Sequence, residues 1–205
     1  MIRVDSSTDP KAVAGHLCCT LNNKKGWLSM KHFTGISTFI LALLLTAPAC
    51  WALQLGQVPP PVVLSGSLGG CIDGKAWNSN DMKGKVSVIF YVAPNQKDLN
   101  NAASEALKKA KFPDAKFQTF GMVNVAASWL PKFTIDYDLK QKQKLYPRTI
   151  YVRDYKKVLV KDWKIGDNNS DVLAFDKNGK LIFEKNGKLS EADIQNLLKA
   201  VSANI

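Results

Sequence analysis

Side chains that could carry covalent chemistry are few in this chain, and most of them lie close to its start. Of the four cysteines and two histidines, all but one cysteine fall within the first 52 residues. These are His16, Cys18, Cys19, His32 and Cys50. The rest of the chain can therefore build neither a Ser-His-Asp nor a Cys-His arrangement. It also lacks the side chains for a histidine-based or all-thiolate metal site, so we expect no metal and no cofactor.

Cys71 is the single candidate for thiol chemistry after residue 52. It opens the segment Cys71 to Trp77, in which Asp73-Gly74 predicts the turn of a tight hairpin. Because no histidine is available there to lower its pKa, we predict a small, half-buried residue. Two alternatives stay open: a reactive thiol that is oxidised to the sulfenic acid, and a disulfide to another chain.

Carboxylates and tryptophans are the other side chains that could form a site. Asp136 and Asp138 are two residues apart on a predicted helix, so their side chains diverge and do not form a catalytic pair. Trp77, Trp129 and Trp163 could line a groove. Large aromatic side chains are more often part of a core, however, and we predict that role for them.

The stretch before residue 53 has the pattern of an export signal. Lys31 and His32 precede an apolar run from Ile36 to Leu45, and small residues around Ala52 fit a cleavage site. The sequence therefore predicts a signal peptide over 30–52 and a periplasmic mature domain over 53–205.

Residues 1–29 precede a complete signal and have no hydrophobic pattern. We interpret them as an upstream extension that follows from a start assigned too early; a disordered extension is the alternative. Cleavage before Cys50, as in a lipoprotein, is disfavoured because Ala47-Pro48-Ala49 lacks the usual leucine.

The domain over 53–205 is strongly basic. It keeps 23 of the 28 lysines and arginines and 15 of the 17 carboxylates, a formal charge of +8. We interpret these lysines first as ordinary residues of solvent-exposed faces. The second interpretation is that they give weak association with an anionic envelope surface. A nucleic-acid partner is not expected, because an exported chain does not meet DNA and no helix-turn-helix spacing is present.

The hydrophobic pattern predicts the elements that would position any site. A continuous apolar run, Val86 to Val92, predicts a buried central strand. The loop Ala93 to Lys97 follows, and then a helix with Leu99, Ala103 and Leu107 on one side. Phe117 to Asn124 predicts a second, parallel strand.

In the second half of the chain, predicted strands and helices also follow one another. We predict a helix over Phe133 to Lys144 with Phe133 and Tyr137 facing the core. Thr149 to Arg153 and Val158 to Trp163 are predicted as strands around the turn 154–156. Asp171 to Phe175 and Lys180 to Lys185 form the last hairpin, and a helix capped by Ser190 ends the chain.

A strand that leads through a loop into a helix resembles the opening of a thioredoxin-like domain. The ordered set of short motifs after residue 52 is similar, more specifically, to the YtfJ family of periplasmic proteins. The motifs are Val58-Pro59-Pro60, Trp77-Asn78-Ser79, Gly84-Lys85-Val86, Lys144-Leu145-Tyr146-Pro147, Asp162-Trp163 and Asp176-Lys177-Asn178-Gly179. The resemblance implies a thioredoxin-like α/β fold, a central mixed β-sheet flanked by helices on both faces, and carries no activity with it.

The resemblance also implies where a partner would bind. Thioredoxin-like proteins meet partners at the loop after the first central strand and at the loop before the late strand. Here these loops contain Pro94, Asn95 and Gln96, and Asn169 and Ser170. Redox members carry Cys-x-x-Cys in the first loop and a proline in the second, and both are missing from this sequence.

The expected function is accordingly non-catalytic binding of an unknown periplasmic protein or small ligand. The alternative is a thiol-dependent oxidoreductase that uses Cys71 or a thiol of its partner. A nucleic-acid-binding regulator is a third and weaker alternative. Polar loops without a titratable nucleophile suit recognition better than bond-making.

Overall fold

A computed structural model describes residues 53–205, which build a six-stranded mixed sheet and a separate two-stranded ribbon. The strands are β1 (Val63–Leu64), β2 (Gly69–Cys71), β3 (Trp77–Asn78), β4 (Val86–Val92), β5 (Phe117–Asn124), β6 (Thr149–Asp154), β7 (Ser170–Phe175) and β8 (Leu181–Asn186). The helices are α1 (Asn101–Ala110), α2 (Lys132–Leu145), α3 (Val158–Trp163) and α4 (Glu191–Ser202).

The large sheet has the order β2-β6-β5-β4-β7-β8. Its centre, β4, pairs in parallel with β5, as the sequence predicts, and β5 pairs in parallel with β6. Strands β7 and β2 join this parallel centre in the antiparallel sense. The carboxyl ends of β4, β5 and β6 and the start of β7 therefore lie at one edge of the sheet.

Helices cover both faces of the sheet, because β4 is apolar on both of its sides. On one face Ile89 and Tyr91 pack in the same cluster as α3 and the β1–β3 ribbon, with Trp163 at its centre. On the other face Val86 and Val88 pack in a cluster with α1 and α4. A third cluster holds α2 against strands β5 and β6. The predicted architecture, a mixed sheet with helices on both faces, is confirmed.

The segment Val158–Trp163 is a helix, so the strand predicted there is wrong. The buried carboxylate of Asp154 accepts hydrogen bonds from the N–H groups of Lys156 and Leu159, at 3.0 and 3.1 Å, and so holds the first turn. A short apolar run fits a buried helix as well as a strand. In this chain the tertiary contacts of Leu159 and Trp163 decide between them.

The helix predicted over 133–144 is confirmed as α2, but its inward face is different. Ile135 and Leu139 are the side chains buried against the sheet. Phe133 and Tyr137, predicted to face the core, point into solvent. The α2 segment is rich in lysine, and its hydrophobic residues have no clear helical period. The sequence therefore did not indicate which face of the helix is buried.

The cap of the last helix and the turn at Asp73-Gly74 were also predicted from the sequence. Ser190 forms a capping box with Asp193 at the start of α4, as predicted. The turn at Asp73-Gly74 is also present, with the Cys71 N–H donating to the Lys75 carbonyl at 2.9 Å. The strands on either side of this turn belong to different sheets, however. β2 pairs with β6, and β3 pairs with β1. The prediction of a simple hairpin over this segment is therefore wrong.

The predicted signal peptide, 30–52, and the extension, 1–29, lie outside the described residues. Among residues 53–205, no helix has both the length and the apolar character needed to cross a bilayer.

Candidate functional site

The two loops predicted to bind a partner are in direct contact. The backbone N–H of Ala93, at the end of β4, donates to the carbonyl oxygen of Asn169 at 2.7 Å. The first loop forms a 3-10 turn over Pro94–Gln96, in which Asn95 is exposed. α1 begins only at Asn101, and the Gln96 N–H donates to the Ala93 carbonyl. The N–H of Gln96 is therefore satisfied within the loop, and no helix starts there.

The two predicted residues of the second loop both form side-chain hydrogen bonds within the protein. Ser170 is fully buried, and its hydroxyl accepts a hydrogen bond from the Asn100 amide at 2.9 Å. Asn169 is half-buried and donates from its amide to the side-chain oxygen of Asn186. Of the five residues predicted to contact a partner, Asn95 is therefore exposed, Pro94, Gln96 and Asn169 are half-buried, and Ser170 is buried.

Asn100 is the residue that ties this region together, and sequence reasoning missed it. Its amide nitrogen also donates to the Gly187 carbonyl at 3.0 Å, and its side-chain oxygen accepts from the Leu189 N–H at 2.9 Å. One buried side chain therefore joins the start of α1 to β7 and to the segment before α4. An asparagine in a polar loop carries no local sequence signal for such a role.

A cavity of about 360 Å³ lies between α1 and α2 over the sheet, and Pro94 and Ser170 both line it. Its apolar lining residues come from the sheet and α2, and include Phe90, Val92, Val123, Ile135, Leu139 and Tyr151. Its polar lining residues include Asn100, Asn101, Ser104, Thr119 and Thr149. This size and mixture fit a site for a small molecule or a short apolar segment.

The floor of the cavity depends on Gly121 in the middle of β5. A Cβ atom at this position would lie 2.7 Å from Cε1 of Tyr151, so the absence of a side chain lets the Tyr151 ring lie across the strand. A glycine inside a strand often marks such a close approach. A glycine within a strand segment was therefore the one sequence feature that could have indicated this part of the cavity.

Two ion pairs cross the rim of the cavity between the segment before α1 and α2. Lys97 contacts Asp138 at 3.4 Å, and Lys142 contacts Asp98 at 3.7 Å. Exposed pairs of this kind contribute less than about 1 kcal/mol. They leave the opening easy to rearrange, and each of the two lysines is matched by a carboxylate.

A chain of buried polar groups occupies the same edge of the sheet on the α3 face. The Tyr91 hydroxyl donates to Asp154 at 3.0 Å, and both side chains are buried. Burial, followed by the nearby carboxylate of Asp154, strongly raises the pKa of Tyr91. The phenol therefore stays protonated and acts as a fixed donor, not as an acid.

Asp171 lies beside Tyr91 across the β4–β7 pair and is also buried. Its Oδ1 atom accepts a hydrogen bond from Asn186, whereas its Oδ2 atom has no partner among the described residues. Burial raises the pKa of Asp171 to about 7. This carboxyl is closed off from solvent, and its burial disfavours the charged form.

Cys71 lies far from both loops. It is half-buried in β2 and packs against the cluster around Trp163, and it forms no disulfide within the described residues. Three strand spacings of about 4.8 Å separate β2 from β4, or roughly 14 Å. Burial, and then the Asp73 carboxylate, raise the pKa of the thiol, although Lys75 and Arg153 act in the opposite direction.

The fold and the loops define the class of protein: a thioredoxin-like α/β domain whose first loop has no cysteine pair. Its structure is similar to the exposed lipoprotein thioredoxin Etrx1 of Streptococcus pneumoniae, with a TM-score of 0.51, 17% identity, and coverage of 70% of this chain and 99% of that chain. It is also similar to yeast Sco1, with a TM-score of 0.52, 12% identity, and coverage of 72% and 96%. At these identities the likeness shows the fold alone, and the predicted thioredoxin-like fold is confirmed.

The chain belongs to the family described as "Bacterial protein of unknown function (YtfJ_HI0045)", whose model matches residues 68–204. It is 26% identical over 180 residues to the uncharacterized protein YtfJ of Escherichia coli K12, covering 83% of this chain and 96% of that protein. It is 31% identical over 177 residues to an uncharacterized protein of Haemophilus influenzae Rd, covering 80% and 96%. The family predicted from the motifs is confirmed.

Proposed function

We propose that this protein is located in the periplasm and uses its thioredoxin-like fold to bind a ligand. It performs no thiol–disulfide exchange. Its ligand, a small molecule or a segment of a partner protein, occupies the cavity between α1 and α2 and contacts the loop at Pro94 to Gln96. The observation that carries the proposal is that this cavity opens at the loop where the fold would otherwise hold a reactive thiol, and is lined there by Pro94 and Ser170.

The chemistry of the site supports binding over catalysis. Thiol exchange needs an accessible thiolate with a lowered pKa. The first loop contains no sulfur, and the pKa of Cys71 is raised by burial. The groups around the cavity are amides, hydroxyls and paired ions, which recognise a ligand without forming a bond to it.

The expected ligand is apolar or amphipathic. The sheet side of the cavity offers aromatic and aliphatic surface, and hydroxyl and amide groups lie at the Ser170 end. Because each rim lysine is matched by a carboxylate, the rim offers no unpaired cation to select a strongly anionic ligand. Burial of apolar area therefore supplies most of the binding free energy.

The cavity is tested with 1-anilinonaphthalene-8-sulfonate, whose fluorescence rises in apolar sites. We expect the wild type to bind the probe and Thr119→Phe, which fills the cavity from β5, to bind at least tenfold more weakly. Thr134→Phe is the matched control, since Thr134 is a half-buried threonine on α2 that does not line the cavity. Equal binding by wild type and a folded Thr119→Phe variant would reject the cavity as the site.

The absence of redox activity is tested by reduction of insulin with dithiothreitol. We expect no acceleration over the rate without protein. Acceleration that disappears in Cys71→Ser would instead establish the alternative, a single-cysteine oxidoreductase.

A further inference from the structure

Three aromatic side chains on α2 or just before it are exposed, and we call this set the aromatic ridge. It consists of Trp129, Phe133 and Tyr137, whose exposed fractions are 90%, 75% and 63%. The spacing of four residues places Phe133 and Tyr137 on the same side of the helix, and Trp129 precedes α2 by three residues. Large exposed aromatic side chains concentrated in one short segment point to a contact site.

The exposure of the ridge follows from how α2 is held. Ile135 and Leu139 are buried against the sheet, and Leu130 packs into the same cluster. The N–H of Leu130 donates to the Ser128 hydroxyl at 3.1 Å and keeps the preceding loop in a turn. With its opposite side fixed in this way, the helix cannot rotate to bury the ridge, so the ridge is a permanent part of the surface.

Positive charge continues the line of the ridge. Lys140 and Lys144 follow Tyr137 at three and seven residues, on the same side of α2, and both are exposed. Neither forms an ion pair among the described residues.

The carboxylates of α2 do not cancel this charge. Asp136 contacts Arg153 at 3.0 Å, and Asp138 contacts Lys97 at 3.4 Å. Each acid is thus neutralised by a cation from outside the helix. The surface that remains is aromatic at one end and cationic at the other.

We propose that this surface binds the protein peripherally to an anionic phospholipid bilayer. Trp, Tyr and Phe side chains favour the interfacial layer of a bilayer, and lysines close to the surface are attracted to anionic headgroups. The formal charge of +8 on residues 53–205 adds a long-range attraction of the same sign. Three shallow aromatic groups give weak, reversible binding, and charge complementarity selects a planar anionic surface as the partner.

The test uses purified protein and vesicles of phosphatidylcholine with or without about one third phosphatidylglycerol. Wild type and variants share one amino terminus, so any binding through residues 1–52 cancels in the comparison. We expect cosedimentation with anionic vesicles that weakens as salt is raised. Among residues 53–205 the other tryptophans, Trp77 and Trp163, are 3% and 1% exposed, so the part of a shift of emission to shorter wavelength that is lost in Trp129→Phe reports insertion of the ridge.

Two double variants separate the contributions of the ridge and the charge. Phe133→Ser with Tyr137→Ser should weaken binding about tenfold, because it removes most of the inserted apolar area. Lys140→Gln with Lys144→Gln should also lower the affinity about tenfold and reduce its salt dependence. Lys108→Gln with Lys109→Gln on α1 is the matched control, because it removes the same number of positive charges. It should lower the affinity for anionic vesicles much less.

Three results would overturn the proposal. They are the absence of cosedimentation by the wild type, unchanged binding by the Phe133→Ser, Tyr137→Ser variant, and equal binding to neutral vesicles. Since neither variant touches a residue that lines the cavity, binding of the fluorescent probe should be unaffected, which keeps this test independent of the proposed function.

Discussion

The hydroxyl of Tyr91 on β4 donates a hydrogen bond to the carboxylate of Asp154 on β6 at 3.0 Å, across the intervening strand β5 and with both side chains buried. The same carboxylate accepts backbone N–H groups at the start of α3. One buried pair therefore couples the central strand to the position of a helix that the sequence pattern did not predict.

We expect Tyr91→Phe to lower the free energy of unfolding by about 1 to 3 kcal/mol, because a buried carboxylate loses one of its donors. Urea denaturation measures this change. Tyr137→Phe removes the same hydroxyl at an exposed position and should stay within about 0.5 kcal/mol of the wild type. Equal effects of the two substitutions would mean that the Tyr91 hydrogen bond contributes nothing measurable.

Asp171 should make stability depend on pH in an unusual direction. Burial raises its pKa to about 7 in the folded protein, against 3.8 for an ordinary carboxyl. The folded state therefore holds the proton more tightly between about pH 4 and pH 7, and this group lowers the free energy of unfolding as the pH rises through that interval. Above about pH 7 its effect is constant.

Asp171→Asn tests this dependence because it replaces the carboxyl by a neutral group of the same shape. The free energy of unfolding of the variant minus that of the wild type should increase between pH 4 and pH 7, by roughly 2 to 4 kcal/mol. Urea denaturation at several pH values gives this difference. A difference that does not change with pH would show that Asp171 titrates normally.

Cys71 should be dispensable for folding. The thiol cannot crosslink residues 53–205 to themselves, and it lies at the border of a core built mainly from larger side chains. Cys71→Ser should leave the melting temperature within a few degrees of the wild type, since a modest packing loss costs about 1 kcal/mol. Loss of the cooperative melting transition, followed by circular dichroism, would assign Cys71 a central packing role.

The loop surface is tested by Asn95→Ala combined with Asn169→Ala. Asn95 is exposed, and Asn169 donates to Asn186 at the edge of the site, so we expect folding to persist while capture of partners from envelope extracts falls. Asn178→Ala, in the distant β7–β8 turn, is a control of the same residue type. Unchanged capture by the folded double variant would place the binding surface elsewhere.

The export signal predicts the amino terminus of the mature protein. Sequencing of the protein recovered from the periplasm should begin at Leu53, because small residues precede that bond and an apolar run lies upstream. A mature protein that still contains His16 or Cys18 would contradict both the predicted signal peptide over 30–52 and the interpretation of residues 1–29 as the result of a start assigned too early.

Local pattern was enough to predict the features that depend on neighbours in the chain. The apolar run of β4 specifies a strand buried on both faces, and it occurs at the predicted residues, Val86–Val92. Ser190 and Asp193 cap α4 through contacts within one helical turn. The ordered motifs were sufficient for the family and, through it, for the thioredoxin-like fold.

Long-range contacts decided the rest. The apolar segment of α3 became a helix because Asp154 holds its first turn and Trp163 enters the core. Ile135 and Leu139, not Phe133 and Tyr137, face the sheet because α2 must cover the surface left by β5 and β6. The cavity beneath it, the burial that shifts the pKa of Asp171, and the exposure of the aromatic ridge all arise from residues far apart in the chain, whose distances only the packed structure determines.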